Sequence, residues 1–269
     1  MSRDKLEGRW ALILGASSGF GAASARALAG AGMNIFGVHL DPKRTQPRAQ
    51  QVIADVEALG RQAIFFNINA ADASRRIQTL TQIKKTLSDD PADAVYLMLH
   101  SLAFGTLLPF VTDEGEQAIS EAQMDMTLRV MAHSMVYWVQ DLVRLDLLKR
   151  GSRVFSMTSG GSRRVVSHYG AVSAAKAALE SHTRQLALEL APRGVLVNCL
   201  MGGLTDTPAL RAIPGHEQMM QQALKFNPSG RMTTPEDIAA TLVALADPDL
   251  SWITGDVIRV DGGEYVVGF

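Results

Sequence analysis

"LILGASSGFGAASARALAGAG", residues 12–32, joins a short apolar run to a stretch of small, helix-compatible residues. Gly15, Gly19 and Gly21 stand in the spacing G-x-x-x-G-x-G. Glycine at such a point allows a tight turn. It also lets the backbone come close to a pyrophosphate, which then meets the N-terminus of the next helix. Ser17 and Ser18 add hydroxyl contacts, and Phe20 lies in the same loop. Glycine and alanine also serve plain helix packing. The place of the motif, after the first strand and before a helix, favours a dinucleotide cradle.

Working outward, seven short apolar runs punctuate the chain: 10–15, 34–40, 63–68, 94–99, 153–158, 195–200 and 256–260. Most are continuously apolar rather than alternating, as in strands buried on both faces of a parallel sheet. Helical segments are expected between them at about 20–31, 47–60, 73–88, 116–149, 169–191, 208–225 and 235–247. The last opens with Thr234 as N-cap, Pro235 at the first helical position and Glu236 and Asp237 in the first turn. No repeat, low-complexity stretch or linker interrupts the pattern. The expected fold class is α/β, a single doubly wound domain over 1–269, with function in the loops at the carboxyl ends of the strands.

Composition narrows the function. Lys plus Arg number 26 against 27 for Asp plus Glu, a balance that gives no general attraction to nucleic acid or an anionic membrane. The longest apolar runs are too short to span a bilayer, and the charged start "MSRDKLEGRW" lacks the apolar core of a signal peptide. The one cysteine, Cys199, excludes an internal disulfide and fits a reducing cytoplasm, the expected location. The six histidines show no metal-ligand spacing, so no metal site is expected.

The glycine loop, a Tyr and Lys on a late helix, and "DGG" at 261–263 together resemble the short-chain dehydrogenase/reductase family over nearly the whole chain. One departure is Leu14, where a threonine usually precedes the first glycine. The resemblance implies a single Rossmann domain with seven parallel strands in the order 3-2-1-4-5-6-7, often in a homotetramer. It also implies a nicotinamide cofactor. Its adenine would lie near Asn69 and Ala70, and its nicotinamide side near Ser101, Leu102, Ala103, Gly202, Thr205 and Thr207. The end of the second strand meets the adenosine ribose. There His39 replaces the acid that would favour NAD, and Lys43 and Arg44 follow, so NADPH is expected; Asp41 argues for NADH, which stays open.

"SHYGAVSAAKAALES", residues 167–181, departs from ordinary members of that family. The catalytic tyrosine usually sits four residues before the lysine, but Val172 occupies that position and Tyr169 stands seven before Lys176. Positions seven apart return to nearly one helix face, so both side chains can address one site. Tyr-x6-Lys resembles the enoyl-acyl-carrier-protein reductases. "MLHSLAFG" (98–105), in place of the usual Asn-Asn-Ala-Gly, resembles them too, and residues 202–232 resemble the substrate loop of FabL-like members. An enoyl reductase receives hydride at C3 of a thioester while charge develops on the carbonyl oxygen two carbons away. Its oxygen donor must therefore stand farther from the nicotinamide, as a displaced tyrosine does. Tyr169 is the expected donor to that oxygen. Lys176 is expected to hold the nicotinamide ribose and to supply positive charge.

Other positions stay open at this level. Ser159 either lines the pocket or is a structural loop serine, and Arg129 stands where the family's helix asparagine is expected. His100 reads as a buried strand-end residue, and His133 and His168 receive no role. A substrate-covering segment is expected at about 204–230; its Leu210, Met219, Met220, Leu224 and Phe226 either cover an acyl chain or pack on the core. Arg163, Arg164, Arg211 and Lys225 are candidates for docking acyl carrier protein. The expected activity is reduction of an enoyl thioester, on acyl carrier protein, in fatty-acid synthesis. The alternatives are an enoyl-CoA reductase, a 3-ketoacyl or other ketone reductase, and a non-catalytic cofactor-binding protein.

Overall fold

In the computed structural model, which describes residues 5–88, 94–113 and 117–267, the seven expected strands form one parallel sheet. Its order is β3-β2-β1-β4-β5-β6-β7. The strands are β1 (Trp10–Leu14), β2 (Asn34–His39), β3 (Ala63–Asn67), β4 (Val95–His100), β5 (Arg153–Ser159), β6 (Leu196–Gly202) and β7 (Val257–Val260). β1, β2 and β4 are buried at every residue, which is why their sequences run apolar without alternation. The chain reverses its direction of travel across the sheet between β1 and β4, where Leu14 pairs with His100.

Helices cover both faces. On one side α1 (Gly19–Gly30) packs on α9 (Pro235–Leu245) over Ile13, Leu28, Phe155 and Leu242. On the other, α5 (Ser134–Arg144) and α6 (Gly170–Leu190) bury Trp138, Met98, Val172 and Leu179. The remaining helices are α2 (Gln46–Ala58), α3 (Ala73–Leu87), α4 (Glu121–Leu128), α7 (Pro208–Arg211) and α8 (His216–Phe226). The α9 cap forms as its sequence requires: Thr234 Oγ1 accepts from Asp237 N, and Asp237 returns the bond to Thr234 N. Among the described residues no helix is long and apolar enough to cross a membrane.

Two expected helices are divided. The segment 116–149 becomes α4, a π-helical turn at Arg129–His133, and α5, whose last turn ends at Arg144; residues 114–116 lie outside the described part. The Ser134 hydroxyl donates to the Val130 carbonyl at 2.7 Å, a side-chain insertion of the kind that accompanies a widened turn. The segment 208–225 becomes α7 and α8, separated by Gly215 at φ +77°, a conformation that ends one helix before the next begins.

Candidate active site

The glycine loop is built by close backbone approach. Gly15 has φ +91°, and a Cβ there would sit 2.5 Å from the carbonyl oxygen of Ser101, so the loops after β1 and β4 touch only because this residue is glycine. A Cβ on Gly21 would overlap the Gly15 carbonyl. Gly19 lies under Thr207, and Gly202 faces Phe20, which brings the loop after β6 into the same place. Thr205 is buried and bonds the Gly203 carbonyl, while Thr207 caps α7. Beside the N-terminus of α1 opens a groove of about 560 Å³, walled by Ser17, Ser18, Gly19, Arg48, Asp206 and Pro208. A cradle that side chains would fill, with a helix N-terminus at its base, fits a dinucleotide. Leu102 touches Gly15, Ala103 is exposed, and Asn69, also exposed, accepts from Ala71 N. Ala70 is buried, and its carbonyl accepts from the Trp138 indole.

The loop after β2 holds the residues expected at the ribose end. Lys43 and Arg44 are exposed. The residue that faces the glycine loop is Asp41, whose carboxylate takes hydrogen bonds from Thr45, Ser17 and His39, the last at 2.8 Å. Burial raises its pKa, but those bonds together outweigh burial and hold it below the ordinary carboxylate value. Asn67 fixes the acid's backbone from both sides, through Asp41 N and Asp41 O, each at 2.9 Å. Sequence reading missed Asn67, although an asparagine at a strand end beside an Asx-rich turn was a signal.

Tyr169 stands at the N-cap position of α6, and Lys176 lies seven residues on in the same helix. Lys176 is buried and donates to the Met157 carbonyl at 2.7 Å. Burial lowers its pKa to about 8. Tyr169 caps the start of α6, half-buried, and its phenol shares a hydrogen bond with Ser159. Burial raises the phenol pKa, and the Ser159 bond partly opposes this. Ser159 lies beside the phenol and also caps its own turn, accepting from Gly161 N at 3.1 Å. Val172 cannot be approached by substrate: it is 5% exposed in the core, packed with Thr127 and Met131 around Gly105. His100 is fully buried, its Nε2 2.8 Å from Ser134 Oγ, with no partner for Nδ1 among the described residues. Burial first, then the nearby Lys176 charge, lowers its pKa to about 3, so it stays neutral.

Arg129, expected in the asparagine position, is exposed at the start of the π turn, while Met131 and Ala132 of that turn are buried. The four candidate docking cations do not stand free as one group. Arg163 pairs with Glu180, Arg211 with Asp206, Arg164 bonds the Tyr265 carbonyl, and Lys225 lies over the Phe226 ring. In the covering segment Leu210 is buried, whereas Leu224 and Phe226 are exposed. Both ends of that segment are tied to the turn 261–264: Leu204 N to Glu264 Oε2 at 2.9 Å, and Asn227 Nδ2 to the Asp261 carbonyl at 3.0 Å.

Residues 15–264 match a family model described as enoyl-(acyl carrier protein) reductase. The enoyl-[acyl-carrier-protein] reductase FabI of Aquifex aeolicus is 29% identical over 71% of this chain and 69% of its own length. Its crystal structure superposes with a TM-score of 0.84 at 24% identity, covering 98% of this chain and 99% of that one. A 1-cyclohexenylcarbonyl-CoA reductase of Streptomyces collinus is 30% identical over 95% of this chain and 86% of its own. A 3-oxoacyl-[acyl-carrier-protein] reductase of Synechocystis is 31% identical over 94% of this chain and 95% of its own. With that sheet order, that glycine cradle and a family match over nearly its whole length, the chain belongs to the short-chain dehydrogenase/reductase family of oxidoreductases, in its enoyl-acyl-carrier-protein reductase branch.

Proposed function

We propose that this protein is an NAD(P)H-dependent enoyl-thioester reductase acting on acyl-carrier-protein-bound trans-2-enoyl chains. The observation that carries the reading is the displaced tyrosine. The position four residues before Lys176 is closed by core-packed Val172, while Tyr169, three residues earlier, presents a phenol beside Ser159. When bound, the reduced nicotinamide supplies hydride to C3 of the thioester. Tyr169 donates to the thioester oxygen as charge develops there. Its ordinary proton is held at rest, because burial keeps the phenol neutral. Lys176, held by Met157, directs its remaining N–H groups to the ribose and sets a positive charge behind the phenol. Gly15, Ser17, Ser18, Gly19, Phe20 and Gly21 form the pyrophosphate cradle. Residues 204–230 cover the acyl chain, and the whole chain acts as one reductase unit.

At the ribose, Asp41 is better placed than Lys43 or Arg44. Its carboxylate suits two ribose hydroxyls and repels a 2′-phosphate, so NADH is favoured over the NADPH expected from sequence. The family's habit of assembly makes a homotetramer the expected state, and the buried, single Cys199 suits a reducing cytoplasm.

A second reading, ketone reduction, is favoured by the Synechocystis relative and by the Ser159–Tyr169 pair, since a serine beside the phenol also serves ketone chemistry. One assay separates the two. Cofactor oxidation is followed with crotonyl thioesters of carrier protein and of CoA, beside a 3-ketoacyl thioester. Turnover of the enoyl thioesters with C4 deuterium delivered to C3 is expected. Turnover of the ketoacyl thioester alone, with deuterium on the carbinol carbon, would replace the enoyl reading with the ketone one.

A further inference from the structure

We propose that Glu180 is a positioning residue for the Tyr169 phenol, acting through the turn that follows β5; this rests on the reading of Tyr169 as the proton-bearing donor. Glu180 lies one helical turn beyond Lys176 on α6 and is 5% exposed. Its Oε1 accepts from Thr158 Oγ1 at 2.8 Å and from Ser162 Oγ at 2.6 Å. Among the described residues its Oε2 meets Arg163 alone, at 3.3 Å, and that side chain is more than half exposed.

Thr158 and Ser162 bracket the segment that touches the phenol. Ser159 shares a hydrogen bond with Tyr169 and accepts from Gly161 N at 3.1 Å. Gly161 forms the floor under the ring: a Cβ there would lie 2.6 Å from Tyr169 Cε1. One carboxylate oxygen therefore pins both flanks of a glycine-containing turn, adding side-chain anchors to the backbone bonds that Gly160 O accepts from Arg163 N and Arg164 N. Lys176 and Glu180 divide the work along one helix face, the first fixed on the Met157 carbonyl, the second on the next residue's hydroxyl.

A buried carboxylate with hydroxyl partners and one wet cation is an expensive way to fill space; an apolar side chain of the same size would cost less. Its gain lies in direction, because hydrogen bonds fix the turn where packing alone would let it slide. A misplacement of about 1 Å at a reacting group costs up to about 100-fold in rate.

The test is a double-mutant cycle read on the enzyme's enoyl thioester turnover, with Glu180→Ala, Glu180→Gln and Ser162→Ala each made in the native and Tyr169→Phe backgrounds. In the native background Glu180→Ala should lower kcat roughly ten- to a hundredfold with the cofactor KM little changed. Glu180→Gln should keep most of the rate, because the amide oxygen still accepts from Thr158 and Ser162. In the Tyr169→Phe background Glu180→Ala should cost less than about twofold more, since its route to the reaction is gone. Equal losses in both backgrounds would mark Glu180 as merely structural and overturn the proposal. Should Glu180→Ala fail to fold, Ser162→Ala, which removes one surface-side hydroxyl, runs the same cycle with the same two outcomes. An impaired Tyr169→Phe enzyme beside unimpaired Glu180 and Ser162 variants would end the positioning role alone. A fully active Tyr169→Phe enzyme would end the catalytic reading and this proposal with it.

Discussion

The sheet carries a buried cation at each end, and the two are treated differently. At the start of β5, Arg153 is 2% exposed and has every donor group engaged. It donates to the carbonyls of Leu245, Asp247, Leu250 and Gly151 and to the Tyr96 hydroxyl, with that ring also under its plane. At the other end, among the described residues, Lys176 has one hydrogen-bond acceptor and neighbouring His100 keeps a buried nitrogen unpaired. A cluster completed by its own chain holds structure together. A cluster left with open donors and acceptors is set up to take them from a ligand. The Arg153 site should therefore govern stability and the Lys176 site should govern rate.

The strongest check on that division is Arg153→Met. It strands four carbonyls and a hydroxyl, and should cost roughly 4 kcal/mol in urea unfolding, while turnover per folded molecule stays near native. A variant of native stability would show that the cluster is not what closes the lower end of the sheet. Tyr169→Phe should do the reverse. Rate should fall roughly 10²–10³-fold, with the thermal midpoint within a degree or two, because ring packing is kept. Adding Val172→Tyr should not restore enoyl turnover, since that position faces the core around Gly105.

The cofactor end gives a smaller effect. Asp41→Ser should move the NADH-to-NADPH preference toward NADPH by about tenfold, as removal of a carboxylate beside an incoming phosphate predicts. Charge reversal at Lys43 and Arg44 should move it far less; the opposite ranking would return the 2′-phosphate to those cations. Smallest is the pH effect. With Lys176 at about 8, kcat/KM should be roughly fourfold lower at about pH 8.5 than at about pH 7, because the charged form is the active one. Stability should respond with the opposite sign. The folded pKa lies below the unfolded one, so the unfolded chain binds more protons between them, and Lys176 burdens the fold less as pH rises from about 8 toward 10.5. Lys176→Met should abolish both trends.

How much of this was legible in the sequence depends on what kind of neighbour each residue has. All seven strands were, because burial on two faces writes a continuous apolar run. The placing of Tyr169 at the start of α6 and of Lys176 within it was, because both lie in or beside one long helix. The break in the segment 116–149 was not: Ser134 looks like any helix serine, and it meets His100 only in the fold. That in 208–225 carried a signal, Pro214-Gly215, that was passed over. The bond between Asp41 and Ser17 was not, because it crosses from one loop to another. Glu180 read as an ordinary helix acid, since nothing local shows that Thr158 and Ser162 will meet it. The exposure of Arg129 was not, because the π turn at Arg129–His133 was not foreseen.

The contact between Gly15 and Ser101 also sets an order of events during folding. Those residues lie in loops after β1 and β4, which become neighbours only when the two halves of the sheet meet. Closing so long a stretch of chain is slow compared with forming a helix or pairing β1 with β2. The proposed nucleotide cradle is thus expected to form late, after the local elements. In stopped-flow refolding, quenching by bound dinucleotide should lag the return of helical signal. Added ligand should leave the folding limb nearly unchanged and slow unfolding.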